Sequence, residues 1–268
     1  AGVIWISNYG DDNVVRLDPI SGRSIGQPAL TGRQPCGLAA GGGSIWTADY
    51  GGNSSTRIDQ VTGQVLAKIP VGGAPYDVTF AAGAAWVTNY TDGTVSRIDP
   101  AGDGVTTISV GQGPAGIAPS GGIIWVANQG SGTVSEIDPV SALVVGELQL
   151  GGAPSWTAYD DTNLWVTDTP GGTVTQINPR TRKVTGVAKV GGRPADGDAL
   201  QGTAWIPDRN SDALIRVSVD GSVHAPVSTG LRYPVVLPAF PDTCWAPPIR
   251  ATPPLPSYPA LRPGHPSA

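Results

Sequence analysis

Residues 86–99 read W-V-T-N-Y-T-D-G-T-V-S-R-I-D, and versions of this stretch recur along the chain. It parses as two short strands, WVTNY and TVSRID, joined by a turn that contains glycine. Trp86 is matched by Trp5, Trp46, Trp125, Trp165, Trp205 and Trp245, at successive spacings of 41, 40, 39, 40, 40 and 40 residues. A period near 40 built from short strands, with no helical periodicity, predicts propeller blades of four strands each.

Residues 76–110 show the full grammar of one unit. Strand a is expected over 76–82, b over 85–90, c over 94–99 and d over 105–110. The c–d turn recurs as D-P-I-S-G from Asp18, D-Q-V-T-G from Asp59 and D-P-V-S-A from Asp138. Its first residue can accept hydrogen bonds from the amides that follow, and proline next to it pre-sets φ. Pro35, Pro75, Pro114, Pro154, Pro194 and Pro234 mark the d–a turns. A tryptophan at one fixed position of every strand b reads as packing between blades.

The two ends do not match the interior. The chain opens directly on a strand b, Val3 to Ser7, while a sixth proline-led strand a, Tyr233 to Phe240, arrives late. Pairing the late strand with the early ones completes one blade from both termini and closes a ring of six, which removes exposed sheet edges. Trp245 begins a seventh strand b that competes for the same slot, and a seven-bladed ring incomplete at its ends is the alternative. We therefore assign residues 1–242 to an all-β propeller and 243–268 to a surplus strand with a proline-rich tail, whose prolines cannot donate to a ladder.

Charge and composition narrow the function classes. Charged residues make up 14% of the chain and the net charge is −5. With lysine at positions 68, 183 and 189 alone, there is no basic stripe to neutralise phosphates, so nucleic acid is not an expected partner. No run of 18 apolar residues appears, and no membrane span is expected within this chain. The start at Ala1 and the lack of methionine fit a trimmed ectodomain, extracellular or periplasmic, as they would a piece of a longer protein. Cys36 and Cys244 both fall near the ring closure, where either a disulfide or buried free thiols can be accommodated.

The repeats A-W-V-T-N-Y-T-D-G-T-V-S-R-I-D-P and I-W-V-A-N-Q-G-S-G-T-V-S-E-I-D-P resemble the YVTN-type propeller repeats of bacterial surface and periplasmic proteins. They are also similar to streptogramin lyase-like propellers and to the propeller sensor domains of actinobacterial receptor kinases. The lyase resemblance implies a metal-assisted elimination that uses a histidine base and carboxylates. The chain departs from that requirement: its histidines are His224, on an expected outer strand, and His265, in the tail, and its glutamates are Glu136 and Glu147. No phosphate-binding loop, zinc-ligand spacing or nucleophile elbow appears.

Two sets of residues are candidates for a site. Three positions after each tryptophan stand Asn8, Asp49, Asn89, Asn128, Asp168 and Asp208. They read either as caps of their own b–c turns or as a polar ring at the channel mouth. Their carboxylates admit Ca²⁺, and no other cofactor is expected. The next position varies as Tyr9, Tyr50, Tyr90, Gln129, Thr169 and Arg209, and variation on a repeated scaffold is where recognition is expected. The d–a turns share that face and add Tyr76, Arg193 and Trp156, the last outside the tryptophan register. Tyr9, Tyr50, Tyr76, Tyr90, Trp156, Arg193 and Arg209 form the expected rim, suited to a protein, peptide, glycan or small polar ligand. The leading expectation is a non-catalytic binding propeller. A metal-dependent lyase and a structural spacer or self-assembly unit are the alternatives.

Overall fold

The structure, a computed structural model, describes residues 2–160 and 162–228 and the strands at 239–240 and 243–244. It is an all-β propeller whose antiparallel sheets follow the sequence repeat. Blade 1 holds β1 (Ile4–Asn8), β2 (Asn13–Leu17) and β3 (Ala29–Leu30), and blade 2 holds β4 (Pro35–Gly41), β5 (Ser44–Asp49), β6 (Ser54–Asp59) and β7 (Val65–Pro70). Blade 3 is β8 (Pro75–Ala81), β9 (Ala84–Asn89), β10 (Thr94–Asp99) and β11 (Gly104–Ser109). Blade 4 is β12 (Pro114–Ser120), β13 (Ile123–Asn128), β14 (Thr133–Asp138) and β15 (Leu143–Gln149). Blade 5 is β16 (Pro154–Tyr159), β17 (Leu164–Asp168), β18 (Thr173–Asn178) and β19 (Lys183–Lys189). Blade 6 is β20 (Asp198–Leu200), β21 (Thr203–Asp208), β22 (Ala213–Ser218) and β23 (Val227–Ser228). In blade 3 the sequence placed every strand to within one residue.

Blade 1 has three strands among the described residues, β1 pairing with β2 and β2 with β3. The innermost position beside β1 is the one the late strand a was expected to fill. Of that segment, residues 233–238 lie outside the described residues. Ala239–Phe240 (β24) pairs antiparallel with Thr243–Cys244 (β25), the local hairpin that competes for this stretch with the low loop-closure cost of adjacent strands.

The tryptophans build the blade interfaces. Trp46 packs against Ala85, Val87 and Ile98 of the next blade, Trp86 against Ile117, Ile124 and Ile137, and Trp125 against Leu164, Val166 and Ile177. Trp46, Trp86 and Trp125 are completely inaccessible. Each also donates its indole N–H to the carbonyl five residues earlier: Gly41 at 3.2 Å, Ala81 at 3.0 Å and Ser120 at 2.9 Å. The polar tip is thus satisfied while the ring is dry.

Directly across the ladder from the tryptophan stands an arginine in four blades: Arg16, Arg57, Arg97 and Arg216. Each guanidinium lies 5.2–5.7 Å from the indole centroid, within cation–π range. From there Arg57 reaches the c–d turn of the next blade and donates to the Pro100 carbonyl at 2.6 Å and to Asp103 at 3.1 Å. Arg16 does the same to the Val61 carbonyl at 3.1 Å. In blade 4 the arginine becomes Glu136, and the clamp is reversed in sign: Arg182 of the following c–d turn pairs with Glu136 at 3.3 Å. Burial raises the Glu136 carboxyl while Arg182 lowers it.

Cys36 is a free thiol. The side chain of Cys244 and the tail from 245 on, with His265, lie outside the described residues.

Candidate functional site: an aromatic cluster at the axis

The turns of one face are knitted together by the backbone, and this positions the variable residues. The amide of Tyr50 donates to the carbonyl of Gln34 at 3.0 Å, Tyr90 to Ala74 at 3.0 Å, Gln129 to Gly113 at 2.9 Å and Arg209 to Arg193 at 3.2 Å. In blades 2, 3, 4 and 6 the b–c turn is therefore bonded to the preceding d–a turn through the very residue whose side chain changes from blade to blade. The main chain is held constant while the chemistry it presents varies.

The innermost strands of blades 2 to 5 begin with a break in register. Pro35 and Leu38, Pro75 and Val78, Pro114 and Ile117, and Pro154 and Trp156 flank β-bulges against their neighbouring strands. A bulge sets two residues against one and re-aims their side chains, interrupting the alternation of a regular strand. In blade 3 Tyr76 and Asp77 fall in the bulge and oppose Thr88. The Thr88 hydroxyl accepts from the Asp77 amide at 3.0 Å and donates to the Ala115 carbonyl at 2.8 Å, which ties blade 3 to blade 4 at this point.

Five predicted rim residues are brought together. Tyr76 is the hub, with ring centroids 6.1 Å from Tyr50, 5.7 Å from Tyr90 and 5.2 Å from Trp156. Tyr9 extends the row, 6.5 Å from Tyr50. These tilted and edge-on separations are those at which aromatic rings attract. The row continues as polar contacts: the Tyr90 hydroxyl donates to Gln129 Oε1 at 2.6 Å, and Gln129 Nε2 donates to the Ser155 hydroxyl at 3.0 Å. Arg209 lies close enough to Tyr76 to favour its ionised form, placing it at the same centre. Arg193 is exposed on the adjoining turn, and it is the Arg193 backbone, not its side chain, that holds Asp208 and Arg209.

Beneath the aromatic rings lie acidic groups that the sequence did not place in the site. Asp77 accepts from the amides of Val78 at 2.8 Å and Ile117 at 3.1 Å, yet burial outweighs both bonds and pushes its carboxyl up to about 6. Asp196 of blade 6 is raised well above the usual carboxylate range, first by burial, then by repulsion from Asp77 and Asp198, with Arg209 opposing. The Cys36 thiol is pushed up to about 12 by burial and by the nearby Asp77 and Asp49. Burial also raises the Tyr76 hydroxyl. The available signal was positional: the second residue after the turn proline runs Gly37, Asp77, Gly116, Trp156 and Asp196, the same kind of variation that marked the b–c turns.

The Asn and Asp positions, read from the sequence as turn caps or as a polar ring at the channel mouth, are held within their blades. Asp49, Asn89 and Asn128 are completely inaccessible, and Asp208 is 5% exposed. Asp49 accepts from the hydroxyls of Thr47 at 2.6 Å, Ser54 at 2.9 Å and Thr56 at 2.7 Å and from the Gly32 amide at 3.2 Å. Asn89 Nδ2 donates to Thr94 and Ser96, both at 2.9 Å, and Asn128 Nδ2 to Thr133 at 3.0 Å and Ser135 at 2.8 Å. Asn8 donates to Asn13 at 2.8 Å, Asp168 accepts from the Gly171 amide at 2.8 Å, and Asp208 accepts from the Arg193 amide and the Ser211 hydroxyl.

Asn8, Asp49, Asn89 and Asn128 thus peg strand b to strand c, whereas Asp168 and Asp208 cap their own b–c turns. Asp49, Asn89, Asn128, Asp168 and Asp208 each sit against a glycine of the preceding turn. A Cβ at Gly72 would fall 2.7 Å from Asn89 Cγ, and one at Gly111 2.7 Å from Asn128 Cγ. Among the described residues no group of three or more histidine, cysteine or acidic side chains is gathered closely enough to hold a metal ion. His224 stands beside the c–d turn of blade 6, at the opposite end from this face, with Nε2 2.6 Å from the Ser218 hydroxyl and its amide bonded to the Arg216 carbonyl.

The chain is similar in structure to a streptogramin B lyase, with a TM-score of 0.76 and 16% identity over 88% of this chain and 83% of that one. Virginiamycin B lyase from Staphylococcus aureus gives 0.76 and 17% over 88% and 84%, and the Kuenenia stuttgartiensis hydrazine synthase 0.72 and 18% over 85% and 84%. At these identities the likeness carries the propeller fold alone, and the dissimilar chemistry in those names illustrates how little a propeller dictates activity. No protein-family model and no curated protein matches the sequence.

Proposed function

We propose that this propeller is a non-catalytic secreted or ectodomain module that binds a ligand or protein partner on the face carrying the b–c and d–a turns. The supporting observation is the row Tyr9–Tyr50–Tyr76–Tyr90 with Trp156, assembled from different blades on a backbone that is otherwise repeated. Large amphipathic rings with polar tips, flanked by Gln129 and Arg209, are the side chains that dominate recognition surfaces. The extracellular or periplasmic setting and a sensor role rest on the resemblance of the repeats to bacterial YVTN-type and receptor propellers.

The test is a binding screen of peptides, glycans and small polar compounds against the protein and against a variant with Tyr50, Tyr90 and Trp156 all changed to alanine. Loss of the hits in the variant, with an unchanged melting temperature, is the expected result. Hits that persist at full affinity would place the binding surface elsewhere. A lyase-type elimination requires a proton acceptor at the reacting centre, and His224 is bonded to Ser218 at the opposite end of blade 6, so nothing about this histidine favours that reading.

A further inference from the structure

We propose that the aromatic cluster around Tyr76, with Asp77 and Asp196 beside it, seats an alkylammonium group. The inference rests on the reading of this face as a binding surface and adds the class of ligand.

Three observations at the same place lead to it. First, Tyr50, Tyr90 and Trp156 surround Tyr76 with centroids 5.2–6.1 Å away, so several π-faces and edges converge where blades 2, 3 and 5 meet the axis. They converge because blade 4 contributes the small Ala115 and Gly116 at this level: a Cβ on Gly116 would lie 2.8 Å from Trp156 Cα. Secondly, the bulge at the head of β8 turns both Tyr76 and Asp77 to this region, so a carboxylate accompanies the rings. Thirdly, Asp196 comes from the opposite side of the ring, near enough to Asp77 for the two to repel, and among the described residues its carboxylate accepts no hydrogen bond.

The chemistry selects the occupant. A weakly hydrated organic cation gains from aromatic faces and from carboxylates set beside them. A neutral or anionic ligand would leave Asp196 repelled by Asp77 and Asp198, with Arg209 opposing. A hard metal ion wants six or more oxygens, whereas this centre is walled by rings. The cationic head is either that of a free quaternary or primary amine or a lysine side chain carried on a peptide; both present the same group to the cluster.

Calorimetric titration at constant ionic strength decides the matter, with tetramethylammonium chloride, choline chloride, N-acetyl-lysine amide and 3,3-dimethyl-1-butanol, the uncharged counterpart of choline. At least one of the three cations should bind, the alcohol at least tenfold more weakly than choline where choline binds. The preference between choline and the lysine amide identifies the source. Asp196→Asn and Trp156→Leu should each weaken the cation at least fivefold in protein that melts no lower than the parent.

Equal binding of choline and the alcohol, binding indifferent to Asp196→Asn, or silence from all three cations would overturn the assignment. If the wider screen still gives hits that depend on Tyr50, Tyr90 and Trp156, the binding face survives without its cation. If that screen is silent as well, both readings fall.

Discussion

Tyr76 of blade 3 and Trp156 of blade 5 meet at 5.2 Å between ring centroids, with 34° between their planes, although a whole blade separates them in the ring. The intervening blade permits this by what it lacks. Ala115 is 2% exposed and Gly116 has no side chain, so the head of β12 leaves the space that the two rings occupy. A centre of this kind is not available to identical repeats, because six copies of one aromatic residue would collide at the axis. The cluster exists because the copies have diverged into large and small.

Gly116→Ala tests that arrangement. The added methyl would sit 2.8 Å from Trp156 Cα and from the Thr157 amide, which are backbone atoms and cannot rotate away. Overpacking of this sort costs about 1–3 kcal/mol. Thermal melts should show a drop of several degrees. Because the strain falls on β16, a shift in the emission of the half-exposed Trp156 should accompany it, against the steady background of the buried Trp46, Trp86, Trp125 and Trp165.

Stability should be greatest between pH 4 and 5. The Asp77 carboxyl lies at about 6 in the folded chain against 3.8 as its ordinary value, so between those limits the folded form holds a proton that the unfolded chain releases. Stability therefore falls as pH rises from about 4 through 6. Asp196, raised in the same direction, adds to the decline.

Carboxyls held below the ordinary range, such as Asp160 and Asp208, act in the opposite sense; their contribution is present above about 4 and disappears as pH falls further. Asp196→Asn should raise the melting temperature at pH 8 and flatten the slope between pH 5 and 8, with little effect at pH 4. A melting temperature that climbs steadily from pH 5 to 8 would contradict this.

The Asp49 peg should be among the most sensitive polar positions in the chain. Asp49→Ala takes the acceptor from three hydroxyls, while the Gly32 amide keeps its bond to Thr56 Oγ1 at 3.0 Å, and leaving a buried donor without a partner costs about 1–3 kcal/mol. Hydroxyls that rotate to other acceptors recover part of this, so a loss of about 3 kcal/mol in denaturant melts is expected. Added Ca²⁺ should change neither the parent nor the variant if Asp49 is a structural peg.

The propeller was legible because tryptophan is large enough to require one packing solution per blade and so keeps its period. The pegs were not assignable for a reason of parity. Residues three apart on a strand point to opposite faces, and in an exposed sheet that would send Asp49 away from the core that takes Trp46. Strand b of a propeller blade is covered on both faces by its neighbours, so Ser44–Asp49 is buried throughout and the polar residue turns inward as surely as the indole. The rim was half legible. Tyr9, Tyr50 and Tyr90 follow from variation after the pegs, whereas the place of Asp77 depends on a bulge that no local pattern announces, since Pro-Tyr-Asp-Val reads equally well as an unbroken strand.

The a–b turns offer a stabilising substitution that touches none of this. Their two central residues both adopt positive φ, 60° and 73° at Gly42–Gly43, 48° and 76° at Ala82–Gly83, and 60° and 78° at Gly121–Gly122. This is the primed hairpin turn that matches the right-handed twist of the flanking strands, and it favours glycine or asparagine at the first position. Ala82 carries a Cβ there at a steric cost of about 1–2 kcal/mol. It is only partly offset by the greater freedom a glycine would bring to the unfolded chain. Because Ala82 is exposed, its methyl contributes little packing that would be lost. Ala82→Gly should therefore raise stability by about 0.5–1 kcal/mol, and Ala82→Asn should do so without the added chain entropy. Both should leave ligand affinity unchanged, since this turn lies at the opposite end of the blade from Tyr76. A lower melting temperature in both variants would show that the methyl makes a contact worth more than the backbone strain it imposes.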